Sequence, residues 1–119
     1  MKGKMNNDKG SIVIDRDVLA KYAGSATTEC FGVVGMASVN MKDGVTKLLK
    51  RENVSRGVSV SVSQNKIRIE LHVIVAYGVS IRAVSQTILE NVRRCVETYT
   101  GMEVDKISVI VEGVRVLDD

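Results

Sequence analysis

The 119-residue sequence holds no tryptophan, no proline, one phenylalanine and one histidine, and each shortage narrows what the chain can be. With three tyrosines and a single phenylalanine, it has little material for the stacking platforms on which single-stranded nucleic acids are held. The absence of proline argues against a second domain carried on a stiff hinge. The two cysteines, Cys30 and Cys95, are far apart and form no CxxC pair, so nothing in their spacing calls for a metal cage or a disulfide. They read as small core hydrophobes of a reducing compartment. No apolar run exceeds Val73 to Tyr77, far short of a membrane span, and Asn6-Asn7-Asp8 occupies the place where a signal peptide needs its apolar core. A cytoplasmic location is the expectation. Charge is also scarce once located. Lys2, Lys4 and Lys9 against Asp8 give residues 1–9 a net +2, which leaves +1 of the formal +3 for the remainder. That is too little for a strong phosphate-binding surface.

What is abundant is β-branched: 21 Val and 9 Ile make up 30 of the 119 residues, which predicts a prominent sheet. Residues 1–9 read as a flexible basic tail and 10–117 as one domain. Ser11 to Ile14 is a short strand, and Asp15 caps a helix whose apolar face is Val18, Leu19, Tyr22, Ala23, Ala26 and Cys30, stopped by Gly32. Gly35 to Met41 is a second strand. Asp43 then caps a short helix with Val45, Leu48 and Leu49 inward and Lys47, Lys50 and Arg51 outward. Val58, Val60 and Val62 alternate with serines, the signature of a half-buried strand, and Ser63 to Lys66 is a turn. The strand after it sets Ile67, Ile69, Leu71, Val73, Val75 and Tyr77 on one face. Its other face changes from Arg68, Glu70 and His72 to Ile74 and Ala76. Ser80 caps a long helix with Val84, Ile88, Val92, Val96 and Tyr99 as its buried stripe, and Gly101 closes it. A last strand, Glu103 to Glu112, buries Ile107, Val109 and Val111. The order β-α-β-α-β-β-α-β predicts a single two-layer α+β domain, a mostly antiparallel sheet with helices on one face.

Few residues suggest chemistry. His72 with Glu70 forms an i, i+2 pair on a strand, the least that acid–base or metal chemistry could use, but no nucleophile, third ligand or phosphate loop accompanies it. No catalytic, cofactor-binding or metal-binding residues are assigned. Gly32-Val33-Val34-Gly35 has the GxxG form of the KH nucleic-acid module, which makes nucleic-acid binding the alternative reading. That loop lies between two helices in KH folds and usually carries basic residues, whereas Val33-Val34 leads toward a strand. Lys47, Lys50, Arg51 and Arg56 make a local basic cluster of the kind that is usually a solvated face. On the second face of the sheet, Ile74, Ala76 and Ile110 form an apolar patch, the candidate surface for self-association or partner docking.

The order and spacing of several short motifs carry a resemblance. Gly10-Ser11-Ile12-Val13-Ile14, Gly32-Val33-Val34-Gly35-Met36, Arg56-Gly57-Val58-Ser59-Val60, Val73 to Gly78, and Thr100-Gly101 followed by Ile107 to Val114 resemble the alkaline-shock-protein family of Gram-positive bacteria over residues 9–116. The resemblance implies a non-enzymatic cytoplasmic protein of envelope stress or homeostasis. It implies that the protein self-associates and is held at the membrane by a membrane-anchored protein partner. It brings no cofactor and no catalytic residue.

Overall fold

The computed structural model of the protein describes residues 2–7, 10–39 and 46–116. Strands β1 (Lys2–Asn7) and β2 (Gly10–Asp15) form an antiparallel ribbon with Asn7 opposite Gly10. The stretch 2–7, read from the sequence as tail, is thus a strand ahead of the expected first one. Its lysines and asparagines show no apolar alternation, so only the pairing reveals it.

Helix α1 (Arg16–Thr28) starts as expected, because Asp15 Oδ1 accepts hydrogen bonds from the backbone N–H of Asp17 at 2.9 Å and of Val18 at 3.4 Å. Its buried face is turned from the expected one. Leu19, Ala20, Ala23, Gly24 and Thr27 are buried, while Val18 and Tyr22 lie at the border. Small residues decide this. A Cβ on Gly24 would stand 3.0 Å from Val54 Cγ2, so Ala20 and Gly24 let the neighbouring segment pack close where larger side chains could not.

Strand β3 (Val33–Val39) follows, then β4 (Thr46–Leu48) and a 3₁₀ segment (Arg51–Gly57). The helix expected after Asp43 does not form over its described part. Thr46 to Leu48 pairs instead with Ala37 to Val39, and Asp43 and Val45 lie outside the described residues. Thr46 favours an extended backbone, and pairing satisfies its main-chain groups better than one isolated turn. At the end of the 3₁₀ segment, a Cβ on Gly57 would meet the Ala37 carbonyl oxygen at 2.8 Å, so this crossing needs glycine.

Strands β5 (Val58–Ser63) and β6 (Lys66–Ala76) form a hairpin. Gln64 and Asn65, with φ of 52° and 63°, supply the two left-handed residues that a tight two-residue turn requires. Helix α2 (Ile81–Thr100) begins where Ser80 Oγ accepts from the Ala83 N–H and ends at Gly101, φ 71°. Its buried row is Val84, Ile88, Val92, Val96 and Thr100, while Tyr99, expected in that row, is half exposed. The chain then returns as β7 (Val104–Arg115), parallel to β6.

Strand β6 is the axis of the five-stranded sheet. On one side it pairs antiparallel with β5 along its first half and β3 along its second, and β4 continues outward from β3. On the other side it pairs with β7 along nearly its whole length. Helices α1 and α2 cover one face, where Ile67, Ile69, Leu71, Val73 and Val75 meet Leu19, Ile88 and Val92. Each such side chain contributes about 1.5–3 kcal/mol on burial. The α+β architecture with a mostly antiparallel sheet and helices on one face is the one expected.

Candidate interaction surface

The sheet face without helices is built by alternation. Arg68, Glu70 and His72 project from β6, and the register sets them beside Lys106, Ser108 and Ile110 of β7 and, for the first two, beside Ser61 and Ser59 of β5. Serines and charges here line a shallow depression. At its rim Arg68 Nε donates to Asp105 Oδ2 at 2.9 Å, with Lys66 Nζ 4.0 Å from the other oxygen. The hydrogen bond from Arg68 holds the Asp105 carboxyl below its ordinary pKa, helped by the nearby lysines.

His72 sits between two carboxylates. Its Nε2 is 2.8 Å from Glu70 Oε1, and its Nδ1 is 3.7 Å from Glu112 Oε1, too long for a direct hydrogen bond. The Glu70 pairing expected from the i, i+2 spacing is present, and Glu112 approaches from β7 on the same face. Glu112 is the extra residue of a β-bulge, since Val111 pairs with Val73 and Gly113 with Ile74. Among the described residues, no group of three or more His, Cys, Asp and Glu side chains is arranged to hold a metal ion.

The apolar trio of this face divides. Ile74 and Ala76 are buried within the single chain, at 3% and 8% exposure, while Ile110 is half buried. An open patch at Ile74 and Ala76 is therefore not what the chain presents. Ile74 is flanked in register by two glycines, Gly35 on β3 and Gly113 on β7. The missing side chains leave room, and Leu48 fills part of it: its Cδ1 lies 2.8 Å from where a Cβ on Gly35 would stand. The flanking glycines were the available signal.

The same geometry places the GxxG loop. Gly32, at φ 89°, makes the turn out of α1, and its carbonyl accepts from the Ala76 N–H at 2.9 Å. A Cβ there would stand 2.7 Å from Val84 Cγ2. Val33 and Val34 already belong to β3, with a bulge between Val33 and Gly35, and Gly35 admits Leu48. The loop thus joins a helix to a strand, and both glycines have packing duties.

Two features lie outside this face. Tyr22 and Tyr99, half exposed rather than buried, stack with ring centres 4.5 Å apart and bridge α1 to α2 beside Asn91, Arg94 and Cys95. Phe31, between α1 and β3, and Tyr77, just past the end of β6, are 86% and 75% exposed. Cys30 is buried and free, and desolvation raises its thiol pKa, although a hydrogen bond from Asn91 acts in the other direction. Cys95 is free and half buried.

Comparison with known proteins agrees with the motif pattern. The model of the alkaline-shock-protein family, described as having a cell envelope-related function, matches residues 4–116. The chain is 40% identical over 117 residues to YloU of Bacillus subtilis, covering 98% of both chains. It is 37% identical over 120 residues to Spy1614 of Streptococcus pyogenes, covering 100% of this chain and 99% of that protein. Among solved structures, the copper form of the MamM CTD is similar with a TM-score of 0.50 at 13% identity, over 87% of this chain and 90% of that one. At that identity the likeness concerns the fold alone.

Proposed function

The chain belongs to the alkaline-shock-protein family, of cell envelope-related function, and from that premise we propose that it is a non-enzymatic interaction and assembly protein of the envelope. It works by self-association and by docking to a membrane-anchored protein partner. The observation that carries this reading is the family match across 4–116. Among the described residues His72 is paired with Glu70 and lies near Glu112. No helix among the described residues is long and apolar enough to cross a bilayer. The nucleic-acid alternative at Gly32, Val33, Val34 and Gly35 receives no support from a loop that is uncharged and runs into a strand.

The test is chemical cross-linking in intact cells, followed by membrane fractionation and mass spectrometry, with the purified chain offered in parallel to protein-free vesicles of anionic lipid. Cross-links to a second copy and to a protein with a membrane span, insensitive to nuclease, are the expected result. Binding to bare vesicles, or membrane recovery that nuclease abolishes, would contradict it.

A further inference from the structure

Strand β7 is the outer strand beside β6, and among the described residues no strand pairs with its other side. A free edge presents a row of unpaired N–H and C=O groups, and soluble proteins normally blunt it with shortness, charge, proline or a bulge. On the opposite side the described sheet ends in β4, of three residues, and in β5, of six. Strand β7 has twelve, and its blunting devices stand only at the ends. The bulges fall at Asp105 and Glu112, with Lys106 just inside the first. Between them Ile107-Ser108-Val109-Ile110-Val111 carries no charge, proline or glycine. Such a segment left open is an aggregation hazard.

Resting on the self-association reading above, we propose that this edge is the contact with a second copy of the chain, the two β7 strands pairing antiparallel about a two-fold axis centred on Val109. Charge selects the register. Directly opposed residues must share a sheet face, so the axis passes between one residue and its own copy and the register changes in steps of two. Centred on Val109, uncharged residues 107–111 oppose one another and Lys106 meets Glu112. Centring on Ser108 sets Lys106 against Ile110 and Glu112 against Val104. Centring on Ile110 sets Lys106 against Val114 and Glu112 against Ser108. Only the first matches Lys106 to Glu112, and the axis repeats the match. Both side chains lie on the open face: Lys106 is in register with Arg68, and the Glu112 carboxylate is near His72.

The experiment measures mass against concentration for the full chain, by sedimentation, with circular dichroism as the check on folding. The wild type is expected to be dimeric at about 100 μM. Lys106→Glu and Glu112→Lys each place like charges opposite one another twice per dimer and should weaken association at least about tenfold. The swap Lys106→Glu with Glu112→Lys should restore it to within about threefold of wild type. Lys106 is exposed and unburdened by packing, so its variant carries the test even if Glu112→Lys perturbs His72. A wild type still monomeric near 1 mM overturns both this pairing and the self-association reading. Association unaffected by either single reversal overturns the pairing alone, as does a swap that fails to restore what the single variants lose.

Discussion

The two faces of β6 are made by one strand and teach opposite lessons. On the helix-covered face every second residue from Ile67 to Val75 is aliphatic and buried, so period and environment agree along the whole strand. On the open face the period is the same but the environment changes midway. Arg68 and Glu70 stand in solvent, His72 is half buried, and Ile74 and Ala76 are buried, Ile74 between two glycines in register. Alternation reports which way a side chain points. It does not report what lies above it.

The largest expected effect would come from forcing the two ends of the open face to behave alike. Ile74→Lys places an unpaired ammonium in a buried position and should cost at least about 3–5 kcal/mol, enough to unfold much of the protein in urea melts followed by circular dichroism. Ile110→Lys, half buried beside the free edge, should change stability by about 1 kcal/mol or less. Equal losses would mean that the open face is uniform after all.

The intermediate region is His72. Its contact with Glu70 is direct, but Glu70 is half exposed and the pair is screened by solvent. His72→Ala should shift stability by no more than about 1 kcal/mol and leave the cellular role intact. Loss of that role in a folded variant, read by complementation, would return the His72–Glu70–Glu112 cluster to candidacy as a chemical site.

Much of this fold was legible in the sequence where one residue fixes one backbone feature. Asp15, Ser80 and Gly101 mark helix ends, and the Ser63–Lys66 turn follows from period-two alternation on both sides. The legible part stops where the deciding partner is distant. Tyr22 and Tyr99 fall at helical spacing within the apolar stripes, but they meet at the surface between two helices. The helix after Asp43 was expected because charges and leucines recur there, yet strand β3 offers Leu48 a pairing partner and a glycine to lie over. Of the candidate patch, Ile110 alone stays near solvent, and its meaning depends on β7 being an outer strand. That position follows from the parallel return of the chain after α2, which no local pattern encodes.

The smallest expected effect lies at the charged end of the open face. Asp105 titrates below its ordinary value because Arg68 donates to it, so its folded-state pKa lies under the unfolded one. The stabilisation it brings is complete above the unfolded value and is lost as pH falls through the folded one. Arg68→Ala should raise the Asp105 pKa toward the ordinary carboxylate range, read by carbon-detected NMR titration. Any stability difference from wild type due to this pair should be present at neutral pH and vanish in strong acid. An unchanged Asp105 titration would show that the contact does not persist in solution.

The central claim is that the protein assembles through the free edge of β7, and the most direct measurement is amide hydrogen exchange at two protein concentrations, about 1 μM and 200 μM. Backbone amides within 107–111 that face away from β6 should exchange more slowly at the higher concentration, while those of β5, residues 58–63, stay unchanged. Protection that rises instead in β5, or in no strand at all while the mass of the protein rises, would contradict the account.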